Sequence, residues 1–200
     1  MHTAVTMGEL LFDADVSPIP LHDPARLDLV TCTTPLIPGP LPQAMIDEIR
    51  AEMRALGPVI PVPYHPLSDR LRLATRVIRD GLERYVETDA VRADRLYVLD
   101  FQGPGEWQYI MFGHTTRGME RINEHIRAAE PHGWVLLDGW ISPGTERAQE
   151  LEQVALTAAE GFHGCMLGRS ERFYGMDFQL GLKIARTVFE LNSNLPPCAH

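Results

Sequence analysis

Two hundred residues, 44% of them hydrophobic, can bury a sizeable core, so one domain or a compact domain with an extra lobe is expected. A formal charge of −9 argues against indiscriminate attachment to nucleic acid, which runs on Lys and Arg displacing counterions from phosphate, yet leaves room for a local basic surface. No apolar run approaches the roughly 20 residues of a membrane helix, and the N-terminus lacks the basic flank and apolar core of a signal peptide, so a cytoplasmic chain without a membrane partner is expected.

Residues 1–40 are proline-rich, with "SPIPLHDP" and "TTPLIPGPLP", and read as an extended arm with one short strand candidate at "LDLVTC". In "PQAMIDEIRAEMRALG", Met45, Ile49, Met53 and Leu56 fall near one face and Gly57 closes the run, which predicts a helix. Beyond "PVIPVPYHP", Ser68 or Asp69 can cap a second helix, "DRLRLATRVIRDGLERYV", with an apolar stripe through Leu71, Leu73, Val77, Ile78, Leu82 and Tyr85. Its arginines alternate with Asp69, Asp80, Glu83 and Glu87, the pattern of a solvated face more than of a basic stripe. These segments make residues 1–93 an N-terminal arm and helical region, ahead of a domain at 94–190 and a tail at 191–200.

From residue 94 strands alternate with helices. "RLYVLDF" and "WQYIMFG" are close enough to form an antiparallel hairpin around "GPGE". Thr116 can cap a helix from Arg117 to Ala129 that ends at "EPHG". "WVLLDGWI" reads as a third strand, a helix follows from Glu146 to Gly161, and "FQLGLKIARTVFEL" closes the domain after an irregular "GRSERFYGM". The fold class is therefore α+β, a small three-stranded antiparallel sheet flanked by helices in the order β-β-α-β-α.

Several residues in this frame can carry chemistry. Tyr97 stands on the first strand, Gly113 ends the second, and Arg121 and His125 share a face of the helix that follows. Together with the element order, these positions resemble the GIY-YIG nuclease family over roughly Leu96 to Val188. The matching triplets are Arg95-Leu96-Tyr97, which keeps the tyrosine of GIY, and Met111-Phe112-Gly113, which keeps the glycine of YIG. "HTTRGMER" resembles the segment that follows YIG in viral and bacterial members, Leu151-Glu152 resembles the "LE" context of the family's metal-binding glutamate, and "RSERFYGM" resembles the acidic-aromatic segment before the last helix, with Glu171 and Phe173 as its anchors. Glu150 is the rival metal ligand, two residues away and on a different helix face.

The resemblance implies a metal-dependent endonuclease acting on DNA. Hydrolysis of a phosphodiester needs water aimed and deprotonated, charge stabilised on the phosphorus oxygens, and the leaving oxygen neutralised. By resemblance, Tyr97 orients or deprotonates the water, Arg121 clamps the phosphate, and Glu152 holds one Mg²⁺ or Mn²⁺, with His125 as the alternative base. Tyr109, His114, Thr115 and Arg117 flank these positions as candidate substrate contacts, Tyr109 and His114 as stand-ins for the missing YIG tyrosine.

Each residue also has a structural role open to it. Tyr97 suits a half-buried strand, Arg121 can pair with Glu120 or Glu124, His125 suits the C-terminal half of a helix, and Glu152 is one of several glutamates in "TERAQELEQ". "GPGEW" is too short for a phosphate-binding loop, "GFHGCMLG" supplies no nucleophile and base, and Cys32, Cys165 and Cys198 have neither zinc nor disulfide spacing. Two further functions stay open: a catalytically silent binding or regulatory module of the same fold, and a non-nuclease enzyme built on it.

Overall fold

The computed structural model describes residues 41–56, 67–88, 94–105, 107–163 and 171–192. The proline-rich arm with its "LDLVTC" strand candidate, the three cysteines and most of the C-terminal tail lie outside these residues. Helices α1 (Gln43–Ala55) and α2 (Asp69–Thr88) precede strands β1 (Arg95–Gln102) and β2 (Gln108–Thr115). Then come α3 (Met119–Ala129), a 3-10 turn at Glu130–His132, β3 (Val135–Ile141), α4 (Ala148–His163), β4 (Arg172–Tyr174) and α5 (Phe178–Asn192). None of the described helices is long and apolar enough to cross a membrane.

The α+β class holds, but the sheet has four strands in the order β3-β1-β2-β4, all antiparallel, where three were expected. The added strand is cut from "GRSERFYGM": three residues are too few to display an alternation, and their extended form comes from pairing Tyr174, Phe173 and Arg172 with Tyr109, Ile110 and Met111 of the β2 edge. Phe173 is buried between exposed neighbours, which is the strand period in its shortest form.

An antiparallel sheet commonly leaves one face to water, and a sequence that does so alternates apolar with polar. Strand β1 is buried along its whole length because helices cover both of its faces. Tyr97, Leu99 and Phe101 point to a core shared with Ile49 and Met53 of α1, Leu71 and Leu82 of α2, and Ile122 and Ile126 of α3. Leu96 and Val98 point the other way, to Leu151 and Val154 of α4 and Ile184 and Val188 of α5. Thus α1 and α2, from the N-terminal helical region, pack into one core with the sheet. Asp177 starts α5 by accepting the backbone N–H groups of Gln179 and Leu180 at 2.9 and 3.3 Å.

An acidic pair sits within the sheet. Asp100 and Asp138 face each other across β1 and β3, and Asp100 accepts a hydrogen bond from the Gln108 amide at 2.9 Å. Burial pushes the Asp100 carboxyl up to about 7, the Gln108 bond opposes the rise, and the charge of Asp138 adds to it; burial lifts Asp138 to about 6. The unfolded chain releases the Asp100 proton near its ordinary value of 3.8, so the stability tied to the protonated form is full below that pH and is lost as pH climbs to about 7. Asp100→Asn keeps an acceptor for Gln108 and carries no charge. Its unfolding free energy relative to the natural chain is expected to rise by up to about 4 kcal/mol between pH 4 and 8, read from urea melts, and a flat difference would mean that Asp100 is ionised in the fold.

Candidate active site

The site starts from a steric fit between two strands. Tyr97 of β1 is paired with Gly113 of β2, and the phenol ring lies in the space a side chain at 113 would fill: a Cβ there would overlap Cζ and Oη and meet Cε2 at 2.7 Å. Crossing Gly113 brings the Tyr97 hydroxyl within 2.9 Å of His125 Nε2, with which it shares a hydrogen bond. His125 is carried by α3, one turn beyond Arg121, whose positive charge acts on the phenol.

The turn into α3 differs from the expected one. Thr116 was expected as the cap, yet Gly118 occupies that position, with φ of 54° and no side-chain bond. Positive φ suits glycine alone among common residues here, so the backbone and not a hydroxyl sets the helix entry. Thr115 shapes the turn instead, its Oγ1 accepting the Arg117 backbone N–H at 3.0 Å. Thr116 is left to line the cleft.

That cleft measures about 240 Å³. Tyr97, Thr115, Thr116, Arg117 and Arg121 line one side, and His114, Glu152 and Glu171 the other. Neighbouring positions of a strand point to opposite faces, so His114 and Gly113 should serve different layers. They meet because β4 pairs with β2 only as far as Met111, and the backbone bond from Phe112 N–H to the Glu171 carbonyl is the last link described on that edge. Past it the two faces open onto one space. On the second face, His114 Nδ1 lies 2.6 Å from Glu152 Oε2, which fixes the carboxylate of α4 at the cleft wall.

Charge in the cleft is unevenly distributed. Burial pushes the Tyr97 phenol well above its ordinary value, the carboxylate of Glu171 adds to this, and Arg121 opposes it. Burial, with the positive charges of Arg121 and Arg172, drives His125 down to about 4, so at neutral pH its ring is uncharged. The Glu152 carboxyl is raised by burial against the pull of its His114 bond. At the mouth, Glu124 bridges both arginines, accepting from Arg117 at 2.7 and 3.0 Å and from Arg121 at 3.0 Å. Those hydrogen bonds hold its own carboxyl down to about 2. The bridge sets two guanidinium groups side by side, a spacing suited to a divided phosphate.

Of the residues expected from sequence, Tyr97, His114, Thr115, Arg117, Arg121 and Glu152 line the cleft, and His125 supports Tyr97 by hydrogen bond. Tyr109 does not belong there. It shares a sheet face with Gly113 but stands four residues along β2, about 14 Å away at a strand's rise, stacked on Phe101 with centroids 5.0 Å apart. Glu150 is also excluded, because Arg147 holds it at 2.7 Å and it does not face the cleft. Sequence reasoning gave Glu171 only an anchoring role and Glu124 only a competing one. The signal available for Glu171 was its place next to a strand-forming "RFY", which would have put it against β2.

Among the described residues no group of three or more His, Cys, Asp or Glu side chains is arranged to hold a metal ion. The carboxylates on the cleft are Glu152 and Glu171. No family model, curated protein or solved structure matches this chain.

The His125 ring is expected to titrate near pH 4, read from its ring carbon-bound proton shifts by NMR. Because the unfolded chain takes up this proton near its ordinary 6.5, the group lowers stability as pH falls from there to about 4. Gly113→Ala drives the Tyr97 ring from its slot at a cost of about 1–3 kcal/mol and moves the His125 midpoint toward its ordinary value. A midpoint unchanged by Gly113→Ala would separate His125 from the Tyr97 packing.

Proposed function

We propose that this chain is a phosphodiester hydrolase of the GIY-YIG type that cleaves DNA in the cleft between Arg121 and Glu152. The observation that carries this reading is convergence: Tyr97, Arg121 and Glu152 come from β1, α3 and α4, are far apart in sequence, and line one cleft with His125 bonded to the first. A hydroxyl, a guanidinium and a carboxylate brought to one space from three separate elements form the set that phosphodiester chemistry needs.

In this mechanism Arg121, with Arg117 beside it, takes the scissile phosphate by paired hydrogen bonds in exchange for Glu124. The neutral Tyr97 phenol aims a water at phosphorus. As the water oxygen bonds to phosphorus, the ester P–O bond breaks with its electron pair left on the departing oxygen, which takes a proton from solvent; the water proton passes to the Tyr97 oxygen while the phenol's own proton passes to His125 Nε2. In the free protein the positive charges of Arg121 and Arg172 oppose a charged His125; a bound phosphate offsets them and makes the ring a better acceptor.

Glu152 is the residue that would hold Mg²⁺ or Mn²⁺. The fit is to Mg²⁺ chemistry, which uses one or two carboxylates and fills its shell with water and phosphate oxygens, and not to an all-protein cage. When bound, such an ion stabilises charge on the phosphorus and leaving oxygens. Holding Glu152 at the wall falls to His114, which bonds one of its two oxygens.

A second reading, a DNA-binding module without catalysis, is favoured by the high phenol and the reluctant imidazole, since neither is a strong base in the free protein. Incubation with plasmid, linear, branched and single-stranded DNA plus Mg²⁺ or Mn²⁺ separates the two. Cleavage by the natural chain is expected, with Arg121→Ala and Glu152→Ala each slower by about 100-fold or more. Equal cleavage by all three would move the chemistry elsewhere, and binding without cleavage of any substrate would support the module.

A further inference from the structure

Away from the cleft, four aromatic rings gather around the other end of β2. Tyr109 is packed at 4.7 Å from Trp134 and 5.5 Å from Tyr174, measured between centroids, and Trp107 meets Tyr174 edge-on at 6.3 Å. Tyr109 is buried, but Trp107 is 55% exposed and Tyr174 45% exposed, so a buried aromatic base carries two large rings into solvent. Exposed large rings gathered into one patch mark a binding surface. Arg172, next to them on β4, lies over the Tyr109 ring at 5.2 Å and its charge reaches His125.

The edge of the sheet therefore carries an ordered row. The Tyr97–His125–Arg121 group stands at the Gly113 level, Arg172 at the Met111 level, and Tyr174 at the Tyr109 level. From Gly113 to Tyr109 is about 14 Å, about four base steps of B-form duplex and fewer nucleotides of an extended single strand. Bases within a duplex are stacked on each other and present only their edges; unpaired bases present flat faces. Stacking also needs no phosphate neutralisation, which suits a chain of net charge −9.

We propose that the Trp107–Tyr174 edge is a base-stacking platform for an unpaired nucleotide flanking the scissile phosphate, with Arg172 bridging platform and cleft. The substrate class is then single-stranded or branched nucleic acid in preference to continuous duplex. This rests on the reading of the cleft as a phosphodiester site.

The test uses the full chain without divalent ions, with a fluorescein-labelled oligodeoxythymidylate and a blunt duplex of the same length as probes, read by anisotropy and by tryptophan fluorescence. The oligodeoxythymidylate is expected to bind more tightly than the duplex and to quench the indole signal. Trp107→Ala and Tyr174→Ala should each weaken it roughly ten-fold, while Trp107→Phe keeps most of the affinity and loses the quenching. The slope of affinity against salt should be unchanged, since no phosphate contact is removed. Equal binding by Trp107→Ala and the natural chain, or a preference for duplex, overturns the platform.

Cleavage assays on the same variants with Mg²⁺ keep the two readings apart. Quenching and selective binding without cleavage leave the platform standing and remove the hydrolase. Cleavage of single strand and duplex alike, unaffected by Trp107→Ala, does the reverse, and no binding to either probe removes both.

Discussion

The site depends on the absence of a side chain at Gly113. Antiparallel pairing puts this residue opposite Tyr97, and only a bare Cα lets the phenol ring lie across the neighbouring strand and reach His125 at 2.9 Å. Any other residue would place a Cβ inside the phenol ring's space and displace the ring. Arg121 follows from the same fit, because it and His125 are one helical turn apart, so the residue that bonds the hydroxyl brings a guanidinium charge to the phenol with it. A single missing Cβ thus sets a phenol, an imidazole and a guanidinium in order.

The second constraint is where the sheet stops. Both faces of β1 are packed under helices, so polar groups on opposite faces are normally separated by a full layer of core. The short β4 ends that separation: beyond the Phe112–Glu171 backbone bond, the Tyr97 face and the His114 face open onto one cleft of about 240 Å³. Burial then does the electrostatic work. It keeps Tyr97 and His125 neutral in a space whose arginines, bridged by Glu124, are arranged for an anion. The same physics acts on Asp100 and Asp138, where burial resists charge on both carboxyls.

Much of this was legible in the sequence, for reasons that differ by residue. The long elements were readable from period: α2 from its stripe through Leu71, Ile78 and Leu82, and β1 from an apolar run too short for a helix. Arg121 and His125 were readable only through their spacing from Gly113, Tyr97 only through the GIY triplet and Glu152 only through its Leu-Glu context, since each is ordinary alone. Strand β4 was not readable, because three residues owe their conformation to a partner strand 60 residues earlier. Tyr109 was misplaced since alternation gives a residue's face but not its distance along the strand. Thr116 looked like a cap because Ser, Thr, Asp and Asn usually fill that role, whereas here Gly118 supplies the backbone angle.

We propose that the two faces of the sheet act together on one phosphodiester. Single-turnover cleavage of an end-labelled single strand by Arg121→Ala, Glu152→Ala and the double variant tests it most directly. Groups that act as a unit are non-additive, so the double variant should be hardly slower than the slower single one. Losses that multiply, a single variant as fast as the natural chain, or a natural chain that leaves the strand intact would contradict it.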